Sequence, residues 1–283
     1  MMTIGLIEVG GERLDYVPVT ADGWKLVQLA AKNRRQLERA LSNPDLDAVA
    51  ILGLSPRKTR LAEKALVNKK HVFVDFPAAE AFQRAAKLNK IATRAEQRIY
   101  SPNLLRIEPG LHELKRIITD SASKLLSLTV TCGVKAIPFG PEFSMKTAQV
   151  LDAIEWLGGS TLREVSTERS AVSSSAAALV TLVSFDNGLK AMLNMYSAPA
   201  RGNHSRLWID AVFADSVVHV DPSAQSIGIA SFRNESVKNV NWATPSLIEA
   251  VEDFISCMKA EKQPLDLENI QRMLKLADMV VGD

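Results

Sequence analysis

The chain has 283 residues, 47% of them hydrophobic and 23% charged, with a formal net charge of +2. That length supports two packed cores, and so small a charge, with no Lys/Arg run interleaved with aromatics, argues against nucleic acid as a partner. No apolar stretch reaches the roughly 20 residues of a membrane helix, residues 1–7 lead straight into a strand, and Cys132 and Cys257 form no CxxC pair, so a cytoplasmic protein with free thiols and no membrane partner is expected.

The first part alternates two periods. Residues 3–9, 24–30, 47–54 and 71–74 read as strands, the third a continuous Val/Ile/Leu run of the kind buried on both faces of a parallel sheet. A helix over residues 32–42 carries Leu37, Ala40 and Leu41 at helical spacing and is followed by Pro44 as a stop signal. Further helices are predicted over residues 59–67 and 79–89. Strands and helices alternating through short connections imply parallel strands with right-handed crossovers, a doubly wound sheet.

From residue 125 the pattern changes. Strands are predicted over residues 125–134, 164–169, 176–185, 190–196, 206–213 and 216–220, with a tight hairpin at Asp186-Asn187-Gly188. Their succession implies a large antiparallel sheet. One helix over residues 144–157 precedes most of these strands, and helices over 246–259 and 269–281 close the chain. The fold class is therefore α/β followed by α+β, with domains of residues 1–120 and 121–283.

Several fragments occur in a telling order. Gly5-Leu6-Ile7 opens the first strand; Tyr16-Val17-Pro18 stands where a His-x-Pro belongs; Ser55-Pro56 ends the third strand. Lys70-His71-Val72 leads into Asp75-Phe76-Pro77, Tyr100-Ser101-Pro102 follows Arg98, and Asp152 precedes Trp156-Leu157-Gly158. In this register the chain resembles the glucose-fructose oxidoreductase and inositol dehydrogenase family (Gfo/Idh/MocA). The resemblance implies an N-terminal Rossmann-like dinucleotide-binding domain and a C-terminal domain for substrate binding and for homo-oligomerisation through its sheet. It implies a nicotinamide coenzyme, NADP or NAD, and a sugar-like or other small hydroxyl or carbonyl substrate.

The coenzyme loop departs from the pattern. A dinucleotide fingerprint uses glycine at three places, and this chain has Glu8, Gly10 and Arg13 there. A carboxylate about 4 Å from the pyrophosphate costs roughly 4 kcal/mol at an effective dielectric near 20. Arg13 either offsets that charge by binding phosphate or pairs with Glu8 across a loop that binds nothing. Where an acidic residue normally meets the adenosine ribose stands Ala31, followed by Lys32, Arg34 and Arg35. That basic group either suits the 2′-phosphate of NADP or is a solvated helix face. Gly10, Arg13, Lys32, Arg34, Pro56 and Asp75 are the candidate coenzyme residues.

The chemistry departs too. The family's usual lysine and histidine fall at Phe76 and Gln149, and neither replacement exchanges protons near neutral pH. Lys146, one helical turn before Gln149, and the carboxylates of Asp152 and Asp75 are the candidate replacements, and Tyr100 is a further proton donor or a packed ring. Lys146 is otherwise an exposed residue near a helix start, and Asp152 otherwise binds neighbouring backbone. No histidine pair has metal-ligand spacing and no nucleophile motif occurs, so neither a metal nor a hydrolase is expected. Three classes stay open: an oxidoreductase with altered residues, a non-catalytic nucleotide- or metabolite-binding sensor or partner subunit, and a structural subunit.

Overall fold

The computed structural model describes residues 1–9, 20–21, 23–29, 34–53, 55–134, 137–173, 176–197, 207–222, 224, 226–231, 235–239, 246–259 and 266–282. Contacts divide the chain into two units, Met1–Pro102 with Ala250–Leu274, and Asn103–Glu249 with Lys275–Asp283.

In the first unit, β1 (Met2–Glu8), β2 (Thr20–Ala21), β3 (Trp24–Gln28), β4 (Ala48–Leu52), β5 (His71–Val74) and β6 (Ile99–Tyr100) form one sheet in the order β2-β3-β1-β4-β5-β6. All neighbours are parallel except β2, an antiparallel edge strand. Every residue of β4 is buried, as its unbroken apolar run requires of a central parallel strand. Helices α1 (Arg34–Leu41) and α2 (Arg57–Val67) occupy the crossovers on either side of β4. After β1 the chain builds β3 on one side of it and then β4 on the other. The carboxyl ends of β1 and β4 therefore flank the point where strand order reverses, the place at which open α/β sheets leave a crevice.

Helix α3 (Phe82–Ala95) starts later and ends later than residues 79–89, the span predicted from sequence. Ala81 is extended at its start, while Glu80 is held by Thr59 Oγ1 at 2.7 Å and by Arg84 at 2.8 Å. Glu96, in the left-handed region at φ 56°, ends the helix.

The second unit begins with a 3-10 helix (Leu104–Ile107) and α4 (Pro109–Asp120), followed by β7 (Leu125–Val134) and α5 (Pro141–Gly158). Strands β8 (Leu162–Ser173), β9 (Ala176–Phe185), β10 (Lys190–Ser197), β11 (Leu207–Phe213), β12 (Ser216–Asp221), β13 (Ser226–Ser231) and β14 (Glu235–Asn239) complete a sheet ordered β14-β13-β12-β11-β7-β10-β9-β8. The sheet is mostly antiparallel. One pair corrects the expectation: β7 and β10 run parallel, because α5 and the β8–β9 hairpin intervene between them and return the chain in the same direction. Strands β13 and β14 were not predicted; Gly228 and small polar residues weaken their apolar alternation.

One face of this sheet is core. Leu128, Val130, Leu179, Val183, Leu193, Met195, Ile209 and Val220 are nearly inaccessible, and Thr147 of α5 donates to Met195 Sδ at 3.3 Å. The opposite face carries Leu182, 61% exposed, with Val180 and Val217. The β9–β10 turn has Gly188 at φ 84°, its amide donating to Phe185 O at 3.0 Å, as the Asp-Asn-Gly signal implied. Helices α6 (Ser246–Lys259) and α7 (Leu267–Val281) close the chain. Phe254 of α6 rejoins the first unit and packs on Phe73 and Tyr100.

Candidate functional site

In the first unit the polar residues of interest gather where strands β1, β4 and β5 end. Gly53 follows β4 at φ 106°, and a Cβ built there would stand 1.8 Å from Val9 O. Glycine alone lets the chain leaving β4 come so near the chain leaving β1. The amide of Gly53 donates to Asp75 Oδ2 at 3.3 Å, so the aspartate after β5 holds the end of β4.

Asp75 is itself held from beneath. Lys58, in the first turn of α2, donates through Nζ to Asp75 Oδ1 at 3.1 Å and to the Asp75 carbonyl at 2.9 Å. Lys58 is 0% exposed and Asp75 4%. Burial holds the ammonium below the usual lysine pKa, opposed by the attraction of Asp75 and, more weakly, Glu80. Phe76, next along the chain, is buried, and its amide donates to Pro102 O at 2.9 Å. Tyr100 stacks on Phe254 with ring centroids 6.1 Å apart and meets Phe73 edge-on at 5.8 Å. Burial, and then Asp253 and Cys257, push its phenol up to about 12, which makes it a poor proton donor at neutral pH.

In the second unit, helix α5 places Lys146, Gln149 and Asp152 one turn apart in succession. Lys146 Nζ donates to Gln149 Oε1 at 2.8 Å. Asp152, 1% exposed, receives Arg106 Nε on Oδ2 at 2.7 Å and Arg106 Nη2 on Oδ1 at 2.6 Å. Asn103 Nδ2 adds a bond to Asp152 Oδ2 at 2.7 Å and another to the Gln149 carbonyl at 2.7 Å. A bidentate guanidinium and an amide thus satisfy a carboxylate that would be costly to bury alone. The same amide is pinned in turn, its Oδ1 accepting from Leu105 N at 3.1 Å.

The structure therefore brings Lys146 and Gln149 together, joins Asp152 to Arg106 and Asn103, and joins Asp75 to Lys58 and Gly53. Gly10, Arg13, Lys32 and Ala31 lie outside the described residues. Arg34 opens α1, with its side chain outside the description. Pro56 sits at the N-cap of α2, half-buried. Among the described residues, no three His, Cys, Asp or Glu side chains converge as a metal site, and no helix is long and apolar enough to cross a membrane.

Lys58, Asn103 and Arg106 were not singled out from sequence. A signal existed for Lys58: it falls with Thr59, Ala62, Ala65 and Leu66 on the buried stripe of α2, where a lysine needs a partner. Asn103 and Arg106 lie in a short turn without periodicity, and nothing local announces their partner on α5.

A dinucleotide would sit beyond the carboxyl ends of β1 and β4, where strand order reverses; there the missing side chain of Gly53 makes room for Val9 O, and Pro56 opens α2 beside it. The residues that would hold the coenzyme there are Gly53, Ser55 and Pro56.

No family model and no curated protein sequence matches the chain. Solved structures match it over nearly its whole length. Biliverdin reductase from Synechocystis sp. PCC 6803, in complex with biliverdin and NADP+, is 16% identical, covering 98% of this chain and 97% of its own, with a TM-score of 0.68. UDP-N-acetylglucosamine 3-dehydrogenase from Acidithiobacillus ferrooxidans is 19% identical over 99% and 96%, with a TM-score of 0.69. A dehydrogenase from Chromobacterium violaceum is 12% identical over 99% and 94%, with a TM-score of 0.74. One is a reductase and two are dehydrogenases, and the likeness bears out the two-part α/β fold that the order of sequence landmarks implied.

Proposed function

We propose that the chain is a nicotinamide-dependent oxidoreductase of the Gfo/Idh/MocA type, acting on a sugar-like or other small hydroxyl or carbonyl compound. The observation that carries this reading is the reversal of strand order between β1 and β4, where Gly53 can stand only as glycine against Val9 O and is held in place by Asp75. A bound nicotinamide supplies or accepts a hydride. In the first unit Gly53, Ser55 and Pro56 are read as serving the dinucleotide, and in the second Lys146 and Gln149 of α5 are read as serving the substrate. Lys32, Arg34 and Arg35 favour NADP over NAD, since three cations suit a 2′-phosphate. The exposed Leu182, Val180 and Val217 are read as the contact for a second copy of the chain.

Titration of the purified protein with NADPH and NADH, followed by thermal unfolding and calorimetry, tests the reading. A ligand at a hundred times its Kd stabilises by about 2.7 kcal/mol. A larger shift with NADPH than with NADH is expected, and no shift with either at millimolar concentration would sink it.

A second reading has its own support. Asp75 and Asp152, two carboxylates available for proton transfer by sequence, are both spent in ion pairs. A sensor or partner subunit that binds nucleotide or metabolite without turning it over would look the same there. NADPH binding without turnover across a broad substrate panel, in both directions, would favour it.

A further inference from the structure

We infer that the first unit carries a separate small-molecule site at the end of α3, which takes a free α-amino acid, its carboxylate on Arg98 and its ammonium on Glu96. The site goes beyond the oxidoreductase reading and does not depend on it.

Helix α3 ends at Glu96, and the chain turns through Gln97 and Arg98 into β6. Because β6 runs parallel to β5, Arg98 stands at the amino end of the sheet, opposite the end at which Asp75 holds Gly53. There a cavity of about 280 Å³ opens between the last turns of α3 and the start of β6. Ligand sites run from about 300 to 1,000 Å³, so this one suits a small metabolite and not a dinucleotide. Ala92 and Ile99, both buried, give it an apolar lining, and Asn89, Glu96, Gln97 and Arg98 give it a polar one.

The polar lining is largely unengaged. The main chain of Arg98 is fully used, its amide donating to His71 Nδ1 at 3.0 Å and its carbonyl accepting from Val72 N at 2.8 Å. Its half-buried guanidinium has no ion pair and no hydrogen bond among the described residues. Burial, and then the charge of Arg98, hold His71 below the usual histidine pKa, opposed by Asp47, as a guanidinium without a counter-ion would. The half-buried side-chain amide of Asn89 is likewise unengaged among the described residues, and so is the exposed carboxylate of Glu96, although Arg98 is only two positions on. Glu96 also has φ 56°. Glycine would end the helix there with less strain, so the fold alone gives no reason for a carboxylate at the rim of the cavity.

The chemistry of the ligand follows from those groups. A planar guanidinium matches a carboxylate, a carboxylate matches an ammonium, and amide side chains serve either. A ligand with only one charge would meet its own sign, an acid at Glu96 or an amine at Arg98. A small molecule carrying both charges satisfies both, and in an α-amino acid they sit on one carbon, which leaves the side chain for Ala92 and Ile99.

Calorimetric titration of the full chain with each of the standard amino acids tests this, alongside the amine and the carboxylic acid that lack one of the two charges. Saturable binding of at least one amino acid is expected, about tenfold or more tighter than either analogue, and weakened about tenfold or more in Arg98→Met and in Glu96→Gly. Thermal unfolding keeps folding and binding apart. Glu96→Gly relieves the left-handed backbone, so its midpoint is expected at or above that of the parent while its affinity falls. No binding of any amino acid at tens of millimolar, or equal affinity in the parent and both variants, overturns the inference. So does an acid analogue that binds as tightly as its amino acid and gains affinity in Glu96→Gly, which would make the cavity a plain anion site.

Discussion

Lys58 and Asp75 face each other at 3.1 Å, their side chains 0% and 6% exposed. The ammonium grips both the carboxylate and the main chain of Asp75, so α2 is tied to the end of β5, and Asp75 passes the constraint to β4 through Gly53. Truncating one partner of such a pair leaves the other charge buried. Lys58→Met is expected to cost about 3–5 kcal/mol in urea unfolding. Adding Asp75→Asn to Lys58→Met should recover part of that loss, because the amide oxygen still accepts from Gly53 while the uncompensated charge is gone. A single variant within about 0.5 kcal/mol of the parent would show that the pair does not stabilise the fold.

Gly53→Ala probes the reversal of strand order directly. The added methyl would meet Val9 O, and φ 106° is a conformation that alanine avoids. A loss of about 2–4 kcal/mol is expected from strain and displacement together. The NADPH thermal shift should shrink with it, because relaxing the clash pushes β1 and β4 apart. An unchanged shift in a folded Gly53→Ala protein would separate the close approach from coenzyme binding.

Glu108 caps α4, with a carboxylate oxygen accepting from Leu111 N at 3.1 Å, and burial raises its pKa to about 7, opposed by backbone bonds from Leu111 and Gly110. The sign follows from linkage. A carboxyl whose folded pKa lies above its unfolded value binds more protons when folded, so its contribution is present below about pH 4.5 and is lost as pH rises through about 7. The parent should lose on the order of 2 kcal/mol relative to Glu108→Gln between pH 5 and 8, seen as diverging thermal midpoints. Parallel pH curves for the two proteins would contradict the shift.

The open sheet face offers a test by association state. Leu182 pairs across the strands with Met192 and with Ser166, so Leu182→Glu introduces charge in the middle of that surface without touching the core face. Sedimentation should show the parent self-associating and Leu182→Glu shifted to monomer, with unchanged far-ultraviolet circular dichroism. A monomeric parent at tens of micromolar would refute the second-copy contact.

What the sequence disclosed was what its periods encode. Residues 47–54 announced a buried parallel strand because Ala48 to Leu52 is an unbroken apolar run, and residues 176–185 announced a strand, which as β9 proves to alternate in burial. The parallel pairing of β7 with β10 was hidden, since strand direction depends on what lies between partners distant in sequence. The site was legible residue by residue but not in its pairings. Asp75 and Asp152 stood out as carboxylates; the cations that engage them stand 17 and 46 positions away, and only tertiary packing selects them. Lys58 was concealed by its type, for a lysine near a helix start reads as solvated unless its place on the apolar stripe is noticed.

Arg106 and Asp152 share one buried network with Asn103, so the three couple in stability. Asp152 is 1% exposed while the Arg106 side chain is 36% exposed, so removing the arginine strands a buried charge. Arg106→Leu is expected to cost about 3 kcal/mol, and Asp152→Asn less, because an asparagine oxygen can still accept from Asn103 and from the guanidinium. Combining the two should cost less than their sum, by about 1–2 kcal/mol, since residues sharing one network couple.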